Sequence, residues 1–306
     1  MVSEKNNRLI QIAEAYNEAV SEYRSGDMKN VCEPVKGIYS GHWIDSGLYH
    51  MEDGTGTSCY LLIGKEKALL IDTGMNAEEV MPYLRKITQL PVMLAVTHGH
   101  PDHMRHADEF REVYIGRKDL EILPEIYFIP AQLWPLDMEQ PPGNFQKQRF
   151  IPLKTGDIIE PGDFDLEVIE LAGHTPGSVL YVEHKRKIIF SGDALGCGSS
   201  VGSWLFFKYC PVLSEYVKNT KVIYERLKQW EDYIYLSGHF FQMFTEAEPM
   251  QRMVPPGLVM LEDTITMCQK VLNRELGYEE SMLPVKDIVR FHWRTATIEV
   301  IRSHIR

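Results

Sequence analysis

Residues 97–103 read THGHPDH. The chain carries 11 histidines in 306 residues, yet His98, His100 and His103 fall within six positions, with Asp102 seated among them. Imidazole is the commonest protein ligand for a transition metal, and a carboxylate is its usual companion. The stretch therefore predicts a metal site, and the fold follows from where the remaining ligands stand.

Working outward, PVMLAVT (91–97) is an apolar run that reads as a buried strand ending where the histidines begin. SCYLLIG (58–64), KALLIDTG (67–74), REVYIG (111–116), DLEVIEL (165–171), SVLYVEH (178–184), KIIFSGD (187–193) and YIYLSGH (233–239) read as further strands. Helices are expected over 77–87 and 214–230. Leu9, Ile12, Ala13, Tyr16, Ala19, Val20 and Tyr23 recur at helical spacing, which predicts an amphipathic helix over 8–24. Strands and helices mixed in this way make an α/β layered domain. Asp72, His98, His174, Asp193 and His239 all come just after predicted strands, where ligand sites of such folds gather because rigid strands aim the loops.

His98, His100, Asp102, His103, His174, Asp193 and His239 make seven nitrogen or oxygen ligands, too many for one four-coordinate zinc and suited to two metals sharing a bridge. His98 and His100 alternate and can point to one side of the loop. Pro101 suits the first turn of a following helix, where its missing N–H costs nothing. On that turn Asp102 and His103 would project toward a second ion.

Composition limits the partners. With 43 acidic against 32 basic residues and a formal charge of −11, the chain is a poor match for a nucleic-acid backbone or an anionic membrane surface. The first thirty residues mix both charge signs and do not read as a signal peptide, and no run of about 18 apolar residues occurs. Cys32, Cys59, Cys197, Cys210 and Cys268 form no C-x-x-C pair and read as reduced thiols, so a cytoplasmic location is expected.

The ordered set T-H-x-H-x-D-H, G-H-T-P-G-S, S-G-D and S-G-H resembles the metallo-β-lactamase superfamily over roughly residues 36 to 240. The resemblance implies a four-layer αββα sandwich. It implies that His98, His100 and His174 bind one metal, that Asp102, His103 and His239 bind a second, and that Asp193 bridges them. Asp72, the aspartate of the DTG motif, would be the carboxylate that orients a ligating histidine. Arg105 and His106 stand where many members carry Gly-Gly, and His100 stands where the flavodiiron branch has glutamate. The histidine set is most similar to the glyoxalase II and lactonase branches. GCG at 196–198 with FFKY beyond it resembles the glyoxalase II substrate loop, which implies Lys208 and Tyr209 as substrate contacts.

One domain over residues 1–306 is expected, with an N-terminal helical extension of about 1–35, a lid-like insertion of about 117–150 and a C-terminal extension of about 245–306. The aromatics of 197–210 could line a pocket or lie in the core or a dimer contact. Lys208 and Arg149 could recognise a substrate carboxylate. His106 reads as an ordinary histidine, exposed or behind the ligands. The function these features imply is a dinuclear hydrolase in which a metal-bridging hydroxide attacks the carbonyl of an ester, thioester or lactone in a small, partly apolar molecule. Asp193 would hold the metals, and Asp102 would orient the nucleophile or take its proton. Two divalent ions are implied; the donors favour zinc, and manganese or iron would accept the same ligands. An iron-dependent redox enzyme resembling the persulfide dioxygenases is the alternative. A small-molecule substrate is expected, with neither nucleic acid nor membrane as a partner, and a homo-oligomer is compatible.

Overall fold

The computed structural model describes residues 39–129, 145, 148–195, 203–239, 242, 257–281 and 283–306. The predicted helix over 8–24 lies outside them. Two β-sheets face each other. The first contains β1 (Ser40–Asp45), β2 (Leu48–Glu52), β3 (Ser58–Ile63), β4 (Ala68–Ile71), β5 (Val92–Ala95), β6 (Glu112–Gly116) and β7 (Arg149–Leu153), in that spatial order. β1 to β4 pair antiparallel and β4 to β7 parallel. The second follows the order β13 (Ile234–Ser237), β11 (Ile188–Gly192), β10 (Val179–Glu183), β9 (Leu166–Glu170) and β8 (Ile158–Ile159).

The strand pattern explains the layers. Along β3, Tyr60 and Leu62 point into the space between the sheets, where they meet Val168, Tyr181, Phe190 and Leu236. Cys59 and Leu61 point the other way, toward helix α1 (Met81–Ile87) and the segment around Met104. Both faces are apolar because both are covered, as expected of sheets flanked by helices. On the far side of the second sheet, Leu180, Val182, Ile189 and Tyr235 pack against Ile223 and Leu227 of a long helix, Leu213–Leu227, and against Met260 and Leu261 of another, Leu258–Leu272. The result is the expected αββα sandwich. Truncating Phe190 to alanine in the central layer would cost about 3–5 kcal/mol.

Helix α1 starts at Met81, later than the predicted 77. Pro82 stands in its first turn, and the Glu109 carboxylate accepts the N–H groups of Val80 (2.8 Å) and Met81 (2.7 Å). Residues 117–127, expected inside the insertion, form two short helices, Arg117–Glu121 and Leu123–Tyr127, whose Asp119, Leu123 and Ile126 are buried. Residues 130–144 and 146–147 of the insertion lie outside the described residues. Three strands of the C-terminal extension join β12 (Ser203–Leu205) in a third sheet, in the order β12, β16 (Ala296–Ile301), β15 (Ile288–Trp293) and β14 (Glu279–Glu280), which packs on both long helices.

The seven candidate ligands and Asp72 leave the same edge of the sandwich. β4 and β5 run parallel to Asp72 and His98, and β11 and β13 run parallel to Asp193 and His239. The sheets are joined there: Val179 N–H donates to Thr97 O (2.9 Å), Ser58 N–H to Gly238 O (2.8 Å) and Tyr60 O–H to Ser237 O (2.7 Å).

Candidate metal centre

At that edge the side chains fall into two clusters, His98–His100–His174 and Asp102–His103–Asp193–His239, each with its donor atoms within 4.8 Å of one another. In the first, His100 Nδ1 stands 3.1 Å from His98 Nε2 and 2.8 Å from His174 Nε2. In the second, His239 Nε2 is 3.2 Å from both Asp102 Oδ2 and Asp193 Oδ2, and His103 Nε2 is 3.4 Å from Asp102 Oδ2. Asp193 also reaches the first cluster, with Oδ2 3.7 Å from His174 Nε2.

Four of the five rings are held from behind, which leaves the inward nitrogen of each to coordinate. Asp72 Oδ2 accepts from His103 Nδ1 (2.8 Å) and from the Thr97 hydroxyl (2.8 Å), and that hydroxyl sits 3.1 Å from His98 Nδ1. One carboxylate thus steadies a histidine in each cluster. Asp72 itself lies in the left-handed region, φ 60°, where aspartate is among the tolerated residues. His174 Nδ1 donates to Trp204 O (3.1 Å), and His100 Nε2 pairs with the Tyr209 hydroxyl at 2.6 Å. Pro101 opens a helix of four residues, Pro101–Met104, which swings Asp102 and His103 toward the second cluster.

The electrostatics separate the clusters. Burial, together with the neighbouring imidazoles, holds His98 and His100 well below their ordinary range and lowers His174, so these rings are neutral donors. In the second cluster, burial works against the charged forms but is outweighed. Asp102, Asp193 and Asp72 hold His103 well above its ordinary range, while His103 and His239 hold Asp102 and Asp193 well below theirs. His103 Nε2 and Asp193 Oδ1 are buried with no hydrogen-bond partner among the described residues. Leaving such atoms unpaired costs about 1–3 kcal/mol each, and a cation between them would offset it. Neutral imidazoles, ionised carboxylates and inward orphan atoms form a donor set that fits divalent metal ions.

The sequence profile of the Metallo-beta-lactamase superfamily matches residues 53–239, the span that holds this edge and all seven candidate ligands. This chain belongs to the metallo-β-lactamase superfamily. It is an enzyme of the hydrolase class found there. It is 29% identical over 218 residues to the acyl-coenzyme A thioesterase MBLAC2 of Gallus gallus, covering 65% of this chain and 76% of that one. It is 31% identical over 151 residues to the hydroxyacylglutathione hydrolase GloC of Haemophilus influenzae, covering 45% of this chain and 66% of the other. A metallo-beta-lactamase from Pontibacter korlensis superposes with a TM-score of 0.53 at 18% identity, over 76% of this chain and 99% of that chain, a likeness of fold alone.

The structure brings together all seven sequence-derived ligands and Asp72. Tyr209, expected as a substrate contact, has its hydroxyl on His100, and Lys208 beside it is exposed. Arg149 does not join the site. It begins β7, at the opposite end of the parallel strands, and pairs with Glu112 at 3.1 Å. His106 is buried, not exposed, between Glu109 (3.0 Å) and Asn76 O (2.9 Å), and belongs to neither cluster. Phe206 and Phe207 are buried, and Phe207 packs behind His100 with ring centroids 5.0 Å apart, so these aromatics are a backing to the ligands. Asp119 and the Trp204 carbonyl escape sequence reasoning because no motif marks them, and Thr97, although it opens THGHPDH, carries no metal-ligating group to single it out. Among the described residues no helix is long and apolar enough to cross a membrane, and Cys59, Cys210 and Cys268 are free thiols.

Proposed function

We propose that this chain is a dinuclear metallohydrolase that cleaves the thioester of an acyl group carried on a small thiol such as coenzyme A or glutathione. The observation that carries this reading is Asp193, whose carboxylate stands within 3.2–3.7 Å of histidine nitrogens in both clusters. His98, His100 and His174 would hold one divalent ion, and Asp102, His103 and His239 the other, with zinc favoured and manganese or iron acceptable to the same donors. When bound, the pair would supply a water ionised near neutral pH and a Lewis acid for the carbonyl oxygen. The chain's own residues do the rest. Asp102 Oδ2, partly exposed beside His239, would orient that water and take its proton. Asp72 keeps His103 aligned, and Tyr209 keeps His100 aligned.

A thioester is favoured over a lactone or simple ester by the thioesterase and hydroxyacylglutathione hydrolase named above among the relatives. The acidic excess, 43 residues against 32, supports a small substrate over a polynucleotide. A panel of acyl-coenzyme A, S-acylglutathione, lactone, aryl ester and RNA tests this. The highest kcat/KM is expected on a thioester, and RNA cleaved faster than every carbonyl substrate would overturn the reading. Iron content, with oxygen consumption on a persulfide, would favour the redox alternative.

A further inference from the structure

Asp119 is a fully buried carboxylate that stands apart from both clusters. It lies in the first turn of the helix Arg117–Glu121, just beyond the end of β6. Its Oδ2 accepts the Gly99 N–H at 2.9 Å and the Thr175 hydroxyl at 2.7 Å, and its Oδ1 accepts the Gly177 N–H at 2.6 Å. Gly99 separates His98 from His100, and Thr175 follows His174. A single side chain therefore clamps the two loops that carry the whole three-histidine cluster, although one loop leaves the first sheet and the other the second. The joint has no slack: a Cβ on Gly177 would stand 2.3 Å from Asp119 N and 2.7 Å from its Oδ1, and one on Gly99 would stand 3.0 Å from the Ile126 side chain.

Three nitrogens bound to one zinc at about 2.0–2.1 Å must stand roughly 3.3–3.4 Å apart. Here His100 Nδ1 is 3.1 and 2.8 Å from its two neighbours, so a few tenths of an ångström of loop separation decide the fit. We propose that Asp119 is a positioning residue that sets this separation, and with it the affinity of the three-histidine cluster for its ion. The inference rests on the dinuclear reading above. Ionised, the carboxylate accepts from all three donors at once. An asparagine would turn an N–H₂ group toward at least one of them, and opposed donors would push the loops apart.

The test compares Asp119→Asn, Thr175→Val and Asp263→Asn with the wild type, each also in a His239→Ala background that leaves the three-histidine cluster intact. Asp263 is an equally buried carboxylate, bonded to the Thr295 N–H and hydroxyl in a remote hairpin, and controls for loss of stability alone. Affinity is read by chelator competition, ligand geometry by the visible bands of bound Co(II), and stability by thermal unfolding. Asp119→Asn is expected to weaken the ion of the three-histidine cluster by about 10–100-fold and to shift its Co(II) bands. Thr175→Val, which removes one of three hydrogen bonds, should do so more mildly and serves if Asp119→Asn fails to fold. Asp263→Asn should lower the melting temperature and leave affinity and bands unchanged. If the wild type binds two ions and both clamp variants bind the first as tightly as Asp263→Asn does, the inference is overturned while the dinuclear reading survives. A wild type that takes up no metal overturns both.

Discussion

Asp193 Oδ2 lies 3.7 Å from His174 Nε2, so the carboxylate that completes one donor cluster also reaches into the other. Three carboxylates, the buried Asp72 and Asp193 and the partly exposed Asp102, stand with five candidate-ligand histidines at one edge of the sandwich. Because Asp193 reaches both clusters, its loss should disturb both of the proposed ions at once. Asp193→Asn, which keeps shape and removes charge, is expected to lower kcat on a thioester by at least about a hundredfold with a much smaller change in KM. Steady-state kinetics check this, and an unchanged kcat would remove Asp193 from the site.

Asp72 touches no donor nitrogen directed into the site, yet it holds His103 and, through Thr97, His98. Asp72→Asn should therefore weaken metal binding by about 10–100-fold without changing the ligand count. Competition with a chromogenic chelator measures this.

The glycine of the S-G-H motif has a steric reason. A Cβ on Gly238 would stand 2.3 Å from Asp193 Oδ1 and 2.8 Å from His103 Cε1. Gly238→Ala should displace both side chains and deplete the second ion, whereas Gly257→Ala, with nothing within 4 Å of the new methyl group, should not. Metal analysis of the two purified variants distinguishes them.

Acid and base should act on the second cluster with a definite sign. Burial alone would lower His239, but Asp193 and Asp102 beside it push it up to about 10, and Asp102 and Asp193 likewise hold His103 up. A folded-state value raised above the ordinary histidine value of about 6.5 gives stability that is fully present below that pH and is lost as pH rises through about 10. Chelator-treated protein should therefore lose melting temperature between pH 7 and 10, and metal-loaded protein much less. The same protons must leave when the second ion binds, so calorimetry in buffers of different ionisation enthalpy should report proton release near pH 7 that shrinks toward pH 10. Uptake without proton release would contradict the assignment of His239 and His103.

The chemistry was legible in the sequence because its residues are local to strand ends. THGHPDH, GHTPGS, SGD and SGH each follow a short apolar run, and parallel strands deliver their C-terminal ends to one edge. β1 and β2 were not legible: polar residues such as His42, Asp45 and His50 interrupt their apolar pattern. Nor was β12, since Ser203–Leu205 pairs in parallel with Ile298–Val300, a partner far along the chain that no local pattern announces. Asp119 was invisible for a related reason, because its three donors come from residues 99, 175 and 177 and only the fold unites them. Arg149 was misplaced because strand direction, not proximity in sequence to the insertion, decides which end of β7 faces the site.

The central claim is that the two clusters together hold two ions. Elemental analysis of the wild-type protein, reconstituted with excess zinc and then desalted, tests it most directly. The account predicts two ions per chain, falling to about one in His239→Ala. One ion or none in the wild type would contradict it.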